Sequence, residues 1–377
     1  MPQTEGIQNT TLFIDSVSIK DNWQTLNLKS MPAATAAVVK SDAYGLGANK
    51  IIPLLITVGC NTFFVATIEE ALNARYLTKQ AEVYVLFGNN TLEEAEVCLE
   101  NNITPVLNHL GQIEIWRKAL KINNEARLET KKSKAWLHFD TGMTRLGIPK
   151  QELEKIRNNP TIVNNLNISG IMSHLACSDI VNHSTNYEQL THFNHLRLWM
   201  NTQFDTYLNW SLANSSGIFL GKEYHFDITR PGASIYGINP QLDQKNIMKD
   251  VVRLQAKILQ VQRVDTNQTV GYGGTYTVKK PGRIATIGLG YADGYFRAAS
   301  GSAQVYIRDF RIPVVGRISM DLITLDITDV PEKDSHVGSI VDVIGPNYSV
   351  DKLAQDSGTI GYEILTSLGK RYKRIWL

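Results

Sequence analysis

The chain has 377 residues, of which 43% are hydrophobic and 20% charged, an ordinary globular composition that suits one elaborated barrel or two domains. A formal net charge of +2 excludes strong electrostatic attraction to nucleic acid or acidic membranes, so we expect a small-molecule partner. The three cysteines, Cys60, Cys98 and Cys177, are too scattered for a disulfide framework or a zinc site. Residues 1–11 do not resemble a targeting signal and no apolar run is long enough to span a membrane. We therefore expect a soluble, unprocessed, cytoplasmic protein.

From about Ala34 to Tyr236, short apolar segments alternate with segments of helical period, which indicates βα units around a parallel sheet. Eight strands are predicted: Ala34–Lys40, Thr62–Ala66, Glu82–Phe87, Ile103–Leu107, Ala135–Phe139, Ile168–Ser173, Tyr207–Ala213 and Tyr224–Thr229. The clearest helices are predicted at Ile68–Leu77, Thr91–Glu100, Leu110–Leu120 and Tyr187–Phe204. Eight such units in about two hundred residues favour an α/β fold of the closed (β/α)8 TIM barrel type over an open sheet. The barrel domain is assigned to residues 1–236.

The pattern changes after Gly237, where strands separated by Gly, Pro, Asp and Asn turns follow one another without helices between them. Residues 237–377 are therefore predicted to form a second, mostly β domain. Its strands are predicted at Val251–Val264, Arg283–Leu289, Ala303–Ile307, Arg311–Val315, Leu322–Ile327 and Ser339–Ile344. An early strand at Thr11–Asp15 stands apart from the barrel rhythm and is a candidate to pair with this second domain.

Lys40 closes the small apolar run Ala33–Val39 and precedes the glycine-containing turn Ser41–Gly47. In a βα barrel the chemistry gathers at the carboxyl ends of the strands, and Lys40 lies at such an end. Apolar surroundings lower the pKa of a lysine and favour the free amine, which adds to an aldehyde as a Schiff base. Lys40 is therefore a candidate nucleophile, with pyridoxal phosphate as the expected aldehyde. The alternative is that Lys40 merely extends from the strand end into solvent.

Four further segments with polar side chains fall at predicted strand ends. Each could by itself be an ordinary turn, but their convergence at one barrel mouth favours a site. They are Asp140–Arg145 after the fifth strand, His174 at the end of the sixth, Asn214–Gly217 after the seventh and Arg230–Ala233 after the eighth.

The loops after the seventh and eighth strands commonly hold a phosphate in this fold. Ser215 offers a hydroxyl, Gly232 and Ala233 offer unobstructed backbone amides, and Tyr44 adds a phenol from the first loop. Arg230 lies beside this cradle and stays protonated, so a pyridine nitrogen facing it would remain unprotonated. That arrangement gives a weaker electron sink, which favours racemisation over transamination.

Taken together in chain order, the motifs of this sequence resemble those of the pyridoxal-phosphate-dependent alanine racemases. The resemblance covers almost the whole chain and is specific because the set is ordered. The motifs are Val39–Gly47, Asp140–Gly147, Ser173–His174, Ala213–Ser215, Arg230–Gly237, Val270–Tyr276, Gly290–Tyr295, Gly316–Asp321 and Gly361–Glu363.

The resemblance implies a homodimer of two-domain subunits that interconverts L-alanine and D-alanine on pyridoxal phosphate. Lys40 would carry the cofactor and act as one acid/base group. Tyr272 of the partner subunit would face it as the other, and the two would transfer the proton at the α-carbon of the external aldimine. Arg145 would bond the phenolic oxygen of the cofactor beside the substrate carboxylate, while Tyr291 and Met320 of the partner would line the substrate pocket. The remaining cofactor-binding residues implied are Tyr44, His174, Asn214, Ser215, Arg230, Gly232, Ala233 and Tyr362.

One departure from the family pattern concerns His138, which stands where many members have a lysine that becomes carbamylated and supports the arginine. An imidazole cannot form that carbamate, so the group that orients Arg145 stays open. Smaller departures are Leu46, Thr144, Ser211 and Ser319.

Several other functions are left open by the sequence. A racemase for serine or for a broad range of amino acids is the nearest alternative, and a barrel-type amino acid decarboxylase is the next. A non-catalytic pyridoxal-phosphate carrier is a third alternative, although such a protein would resemble the barrel alone. The fourth and simplest hypothesis is a barrel that binds no cofactor. Whether the enzyme serves cell-wall synthesis or alanine breakdown also stays open.

Overall fold

The computed structural model describes residues 9–125, 134–203 and 207–377. Its contacts divide the chain into two compact units, Lys20–Met248 and the described residues up to Ile19 with Lys249–Leu377. The predicted boundary at 236/237 therefore differs from the observed division. The reason is that the segment after Gly237 remains bonded to the barrel unit, where the Ile238 N–H donates to Ala233 O at 3.2 Å and the Leu242 N–H to Asp179 O at 3.1 Å.

The first unit contains the predicted parallel barrel. Seven strands pair in chain order, and the pairing continues through the two-residue strand Ile228–Thr229, which lies parallel to Ala34–Thr35. A bridge between Asn214 and Arg230 joins the seventh strand to the eighth, so the ring closes. The strands are Ala34–Thr35 continued by Ala37–Val38, Thr62–Val65, Glu82–Val85, Thr104–Leu107, Ala135–His138, Ile168–Met172, Asn209–Ser211 and Ile228–Thr229.

The barrel strands are nearly continuous apolar runs because both of their faces are buried. Aromatic side chains fill the interior: the rings of Phe64 and Tyr84 stack at 4.6 Å, and Trp136 meets Tyr84 edge-on at 4.9 Å. Gly170 on the neighbouring strand accommodates this packing, since a Cβ there would lie 2.3 Å from the Trp136 ring. A larger residue at 170 would therefore displace the indole.

Helices separate the barrel strands. The prediction at Ile68–Leu77 is matched in full, and Leu92–Glu100, Leu110–Glu125 and Ser184–Met200 match with shifted ends. Phe204, the predicted end of the last of these, lies outside the described residues. Helices that are not predicted from the sequence are Ser16–Ser30, Ala48–Ile56 and Lys150–Asn158, with single turns at Pro160–Val163, Ser216–Phe219, Lys222–Tyr224 and Ala233–Tyr236.

The predicted strand Tyr224–Thr229 is wrong over its first half. Gly221 has a φ of +147° and opens the turn Lys222–Tyr224, and Phe226 has a left-handed φ of 54°. Left-handed backbone cannot continue an extended strand, so pairing starts only at Ile228.

The second unit is built on an antiparallel sheet. Val252–Val264 is its longest strand and pairs with both Gly282–Ile287 and Ile340–Ile344, which closes six strands into a ring. The early strand Thr10–Ile14 lies antiparallel to Val252–Val264 and parallel to Lys373–Trp376. The other strands of the ring are Gln304–Ile307, Phe310–Val315 and Ile323–Asp326.

Two helices, Val350–Asp356 and Gly361–Ser367, lie between the last strand of this ring and Lys373–Trp376. None of these three elements is predicted from the sequence. Across the described ranges of both units, no helix combines the length and apolarity needed to cross a membrane.

Candidate active site

Lys40 lies two residues beyond the end of the first barrel strand at Val38 and begins the turn Lys40–Tyr44. The next four residues all have left-handed φ values between 52° and 57°, a conformation that non-glycine residues rarely adopt in series. Burial lowers the pKa of the Lys40 ammonium, the positive charge of Arg145 lowers it further, and the carboxylate of Glu70 opposes both. The lysine is therefore biased toward the free amine that a nucleophile or base requires.

Three loops build a small polar cradle beside this turn. The Ser215 hydroxyl oxygen accepts the N–H groups of Gly232 at 2.9 Å and Ser234 at 3.3 Å, which holds the seventh and eighth loops together. A Cβ on Gly232 would lie 2.3 Å from the Tyr44 hydroxyl oxygen, so the phenol of the first loop reaches the same place. The Tyr44 ring packs 4.7 Å from that of Tyr236. The structure thus brings together Tyr44, Ser215 and Gly232 as predicted from the sequence.

Arg230 is buried inside the barrel at the end of the eighth strand. Its Nη2 donates to Ser173 O at 2.6 Å and Leu212 O at 3.4 Å, and its Nη1 donates to the Ser211 hydroxyl. Burial lowers the pKa of this guanidinium to about 9, which still leaves it charged at neutral pH. Ser211 was noted in the sequence only as a departure, yet it is one of the groups that fix Arg230.

His138 is a neutral imidazole in a fixed tautomer. The Asn108 side-chain nitrogen donates to Leu86 O at 3.0 Å and Val106 O at 2.8 Å. The Asn108 side-chain oxygen is therefore the atom that faces His138 Nδ1 at 2.8 Å, and it accepts a hydrogen bond from it. Nδ1 therefore carries the proton and Nε2 is left as an acceptor. Burial and the nearby Arg230 lower the pKa of His138 to about 3. The sequence offered no signal for Asn108.

His174, at the end of the sixth strand, is also held neutral. Burial lowers its pKa well below the usual value, and the charges of Arg230 and Arg145 act in the same direction. The backbone around it is tied to the fifth loop, because Gln189 Nε2 donates to His174 O at 2.9 Å and to the Thr141 hydroxyl at 3.3 Å.

The loop that carries Arg145 is organised by Asp140. One carboxylate oxygen accepts the N–H groups of Gly142 and Met143, both at 2.9 Å, and the other accepts that of Thr144 at 3.0 Å. The Arg145 side chain itself is exposed.

Asn214 organises the loop after the seventh strand as Asp140 organises the fifth. Its side-chain oxygen accepts the Ser178 hydroxyl and the Gly217 N–H, each at 2.9 Å. We interpret Asn214 as a residue that shapes the cradle.

Of the remaining predicted site residues, Ala233 is buried next to Gly232. The others lie on the second unit and are exposed there. The exposed fraction is 72% for Tyr272, 43% for Tyr291, 54% for Met320 and 37% for Tyr362. Tyr291 and Met320 are neighbours, since the Tyr291 N–H donates to Ser319 O at 3.1 Å and the Ala292 N–H to Met320 O at 2.9 Å. Large exposed side chains of this kind commonly mark an interaction surface.

The Tyr291 loop is anchored by an ion-pair network. Arg371 bonds Asp293 through two nitrogens at 2.6 and 2.8 Å and Asp321 through a third at 2.8 Å. Asp293 is buried and also accepts the Gly290 N–H at 3.0 Å. This network fixes the loops on either side of Tyr291 and Met320.

The closed parallel barrel and the separate β unit are the architecture of a two-domain barrel enzyme. Lys40, Ser215 and Arg230 lie at the strand ends of the barrel, where such enzymes carry their active sites. Comparison with family models gives the match "Alanine racemase, N-terminal domain" over residues 14–240 and "Alanine racemase, C-terminal domain" over residues 251–376. The chain belongs to the alanine racemase family.

Individual relatives agree with this assignment. The alanine racemase of Rhodospirillum rubrum is 45% identical over 365 residues, covering 96% of this chain and 94% of the relative, and that of Rickettsia akari is 42% identical, covering 97% and 99%. Among solved structures, alanine racemase from Bartonella henselae with covalently bound pyridoxal phosphate superposes with a TM-score of 0.90 at 40% identity, covering 98% of this chain and 99% of that one. The biosynthetic alanine racemase from Pseudomonas aeruginosa gives a TM-score of 0.88 at 30% identity, with coverage of 98% and 100%.

Proposed function

We propose that the protein interconverts L-alanine and D-alanine with pyridoxal phosphate as cofactor. The observation that carries the proposal is the placement of Lys40 on the same left-handed turn as Tyr44, whose phenol reaches the Ser215–Gly232 cradle. An amine of lowered pKa and an anion cradle joined by one short turn are what a phosphorylated aldehyde requires. Family membership supports the reaction.

The residues present fit the cofactor. The space at Gly232 would be filled by a Cβ, and the groups around it are a phenol, a hydroxyl and backbone amides, which suit a phosphate. Tyr44, Ser215, Gly232, Ala233 and Tyr362 would hold the phosphate, and Arg230 would face the ring nitrogen. When bound, pyridoxal phosphate supplies an aldehyde for the amino group of the substrate and a ring that withdraws electrons from its α-carbon.

Racemisation requires the α-proton to leave one face of the substrate and return on the other, so two opposed acid/base groups are needed. Lys40 would act on one face as the free amine that its lowered pKa favours. Tyr272 of the partner subunit would act on the other, which agrees with its 72% exposure in a single chain. The exposed guanidinium of Arg145 would hold the substrate carboxylate and the phenolic oxygen of the cofactor.

The other residues would support this pair. His174 would link Arg230 to Tyr272 of the partner subunit as a neutral hydrogen-bonding group, and Asn214 would keep the seventh loop in shape. Tyr291 and Met320, which adjoin each other, would limit the size of the substrate from the partner subunit. We infer a cytoplasmic homodimer with shared active sites.

Racemisation of L-alanine by the purified protein with added pyridoxal phosphate tests the proposal. We expect D-alanine to form, borohydride to fix the cofactor to Lys40, and Tyr272→Phe to abolish racemisation in both directions, because the two directions share the same proton transfers. Preferred turnover of L-serine would instead identify a serine or broad-specificity racemase. Release of carbon dioxide from a basic amino acid would identify a decarboxylase. A colourless protein without a trapped adduct would refute a role for the cofactor.

A further inference from the structure

Two successive helices of the barrel begin with the same sequence pattern. Thr67 and Thr91 each cap a helix, and the third helical residue in each case is a glutamate, Glu70 or Glu94. The threonine hydroxyl accepts the glutamate N–H at 3.3 Å in the first helix and at 3.1 Å in the second. The pattern is typical of a capping box, whose ordinary role is to satisfy the free N–H groups of a helix start.

The two carboxylates nevertheless make different contacts. Glu94 accepts the Asn90 N–H at 2.5 Å, within its own loop. Glu70 uses one oxygen in the same way, accepting the Ala66 N–H at 2.8 Å. Its other oxygen reaches the loop after the first strand and accepts the Ser41 N–H at 2.5 Å. Glu70 therefore connects two βα loops, whereas Glu94 serves one.

Ser41 is a sensitive place for such a contact. It follows Lys40 and is the first of the four left-handed residues that end at Tyr44. Left-handed backbone is unfavourable for each of these residues because Cβ approaches the following carbonyl oxygen, so the turn persists only where its surroundings fix it. A second contact supports its far end, where Asp42 Oδ1 accepts the Ala48 N–H at 2.7 Å.

We propose that Glu70 is a positioning residue for the active site. By accepting the Ser41 N–H, its carboxylate fixes the left-handed turn that directs Lys40 and Tyr44 toward their places. The assignment rests on the proposed function for what those two side chains do. The carboxylate also opposes the lowering of the Lys40 pKa, which agrees with its position next to the lysine loop.

The matched comparison is Glu70→Ala against Glu94→Ala. Both variants remove a glutamate that stands at the third helical position after a threonine N-cap and bonds the N–H before that threonine, but only Glu70→Ala removes an acceptor from Ser41. We expect hydrogen exchange of the backbone amides in residues 41–45 to accelerate at least tenfold in Glu70→Ala alone, with or without cofactor. We also expect kcat/KM for alanine to fall about tenfold, the size of one charge-assisted hydrogen bond, in Glu70→Ala and to change less than twofold in Glu94→Ala.

Glu70→Gln provides a second test if the alanine variant folds poorly. It keeps one acceptor oxygen but loses the negative charge, so the pH profile of Lys40 adduct formation should move toward lower pH. Glu94→Gln should leave that profile in place.

Equal hydrogen exchange and equal kcat/KM in Glu70→Ala and Glu94→Ala, or an unmoved profile in Glu70→Gln, would overturn the proposal. Failure of the proposed function is seen separately, as a wild-type protein in which no aldehyde adduct forms on Lys40. The exchange measurement still reports on the Ser41 turn in that case.

Discussion

Individual charges at the barrel mouth are controlled by burial. Arg230 keeps its charge because carbonyl and hydroxyl groups surround it, whereas His138 and His174 lie beside that charge and stay neutral. A neutral His138 cannot replace a carbamylated lysine as an anion. It offers instead Nε2 as a neutral acceptor, because the bond from Nδ1 to Asn108 sets the tautomer of the imidazole.

The burial of His138 predicts a specific loss of stability in mild acid. Its folded pKa of about 3 lies below the unfolded value of about 6.5, so below pH 6.5 the unfolded chain binds a proton that the folded one cannot. Between pH 7.5 and pH 5 this linkage costs about 2 kcal/mol. Urea unfolding at both pH values should show wild type losing about that much more than His138→Asn, in which an amide donor replaces Nδ1–H. Parallel losses in the two proteins would contradict the assignment.

Gly232→Ala tests the cradle at a single atom. The Cβ that this substitution adds would lie 2.3 Å from the Tyr44 hydroxyl oxygen, so it would enter the space that the phenol occupies. We expect the variant to fold and to bind pyridoxal phosphate at least tenfold more weakly, measured by absorbance titration.

Gly345→Ala is the control for this substitution. Its Cβ would have ordinary contacts, the nearest at 3.5 Å from Asp342, and cofactor affinity should not change. Equal affinities in the two variants would remove Gly232 from the cradle.

At the scale of elements, short connections decide where the site residues lie. The turn Lys40–Tyr44 places two predicted site residues within five residues, and it does so with left-handed backbone.

The strand Thr10–Ile14 belongs to the second unit although the chain then enters the barrel, because both of its edges are paired there. Pairing on two edges fixes its register, and its alternating residues are buried.

Leu12→Ala measures how strongly the second unit depends on this early strand. Leu12 is fully buried between two paired strands, and truncation of such a leucine costs about 2–5 kcal/mol. Leu28→Ala is the matched control, because Leu28 is 69% exposed and its truncation should cost less than about 0.5 kcal/mol. Urea denaturation of both variants gives the comparison, and similar costs would show that the strand contributes little.

For the whole molecule, the exposed residues Tyr272, Tyr291 and Met320 suggest that one chain does not make a complete site. Such a shared arrangement in a symmetric dimer has a measurable consequence, because each site would take Lys40 from one subunit and Tyr272 from the other.

Complementation between two inactive variants tests this arrangement. Lys40→Ala and Tyr272→Phe homodimers should each be inactive, while a heterodimer has one site with both native residues. After denaturation and mixing in equal amounts, half of the dimers are mixed and each has one of two sites active, so about a quarter of wild-type activity should return. Absence of recovery, with mixed dimers verified by native mass spectrometry, would show that Lys40 and Tyr272 act within one chain or not together.

Sequence alone determined the fold class and the order of the barrel strands, and it predicted the site residues. Apolar runs such as Thr62–Val65 are local signals of buried parallel strands, and the ordered motifs carry chemistry that depends on residue type. The stretch around Gly221 and Phe226 was misassigned because a change to left-handed backbone leaves little trace in hydrophobic pattern.

Tertiary structure alone decided how those residues are held. The bonds of Asn108 to His138 and Ser211 to Arg230 join side chains from different strands or loops, and that of Glu70 to Ser41 joins a side chain to a backbone N–H of another loop. Closure of the barrel brings them within hydrogen-bond distance, and no local pattern encodes such a partner. The sequence thus named the groups that are predicted to do the chemistry, whereas the charge state of His138 and the direction of the Lys40 turn depend on neighbours that only the folded chain supplies.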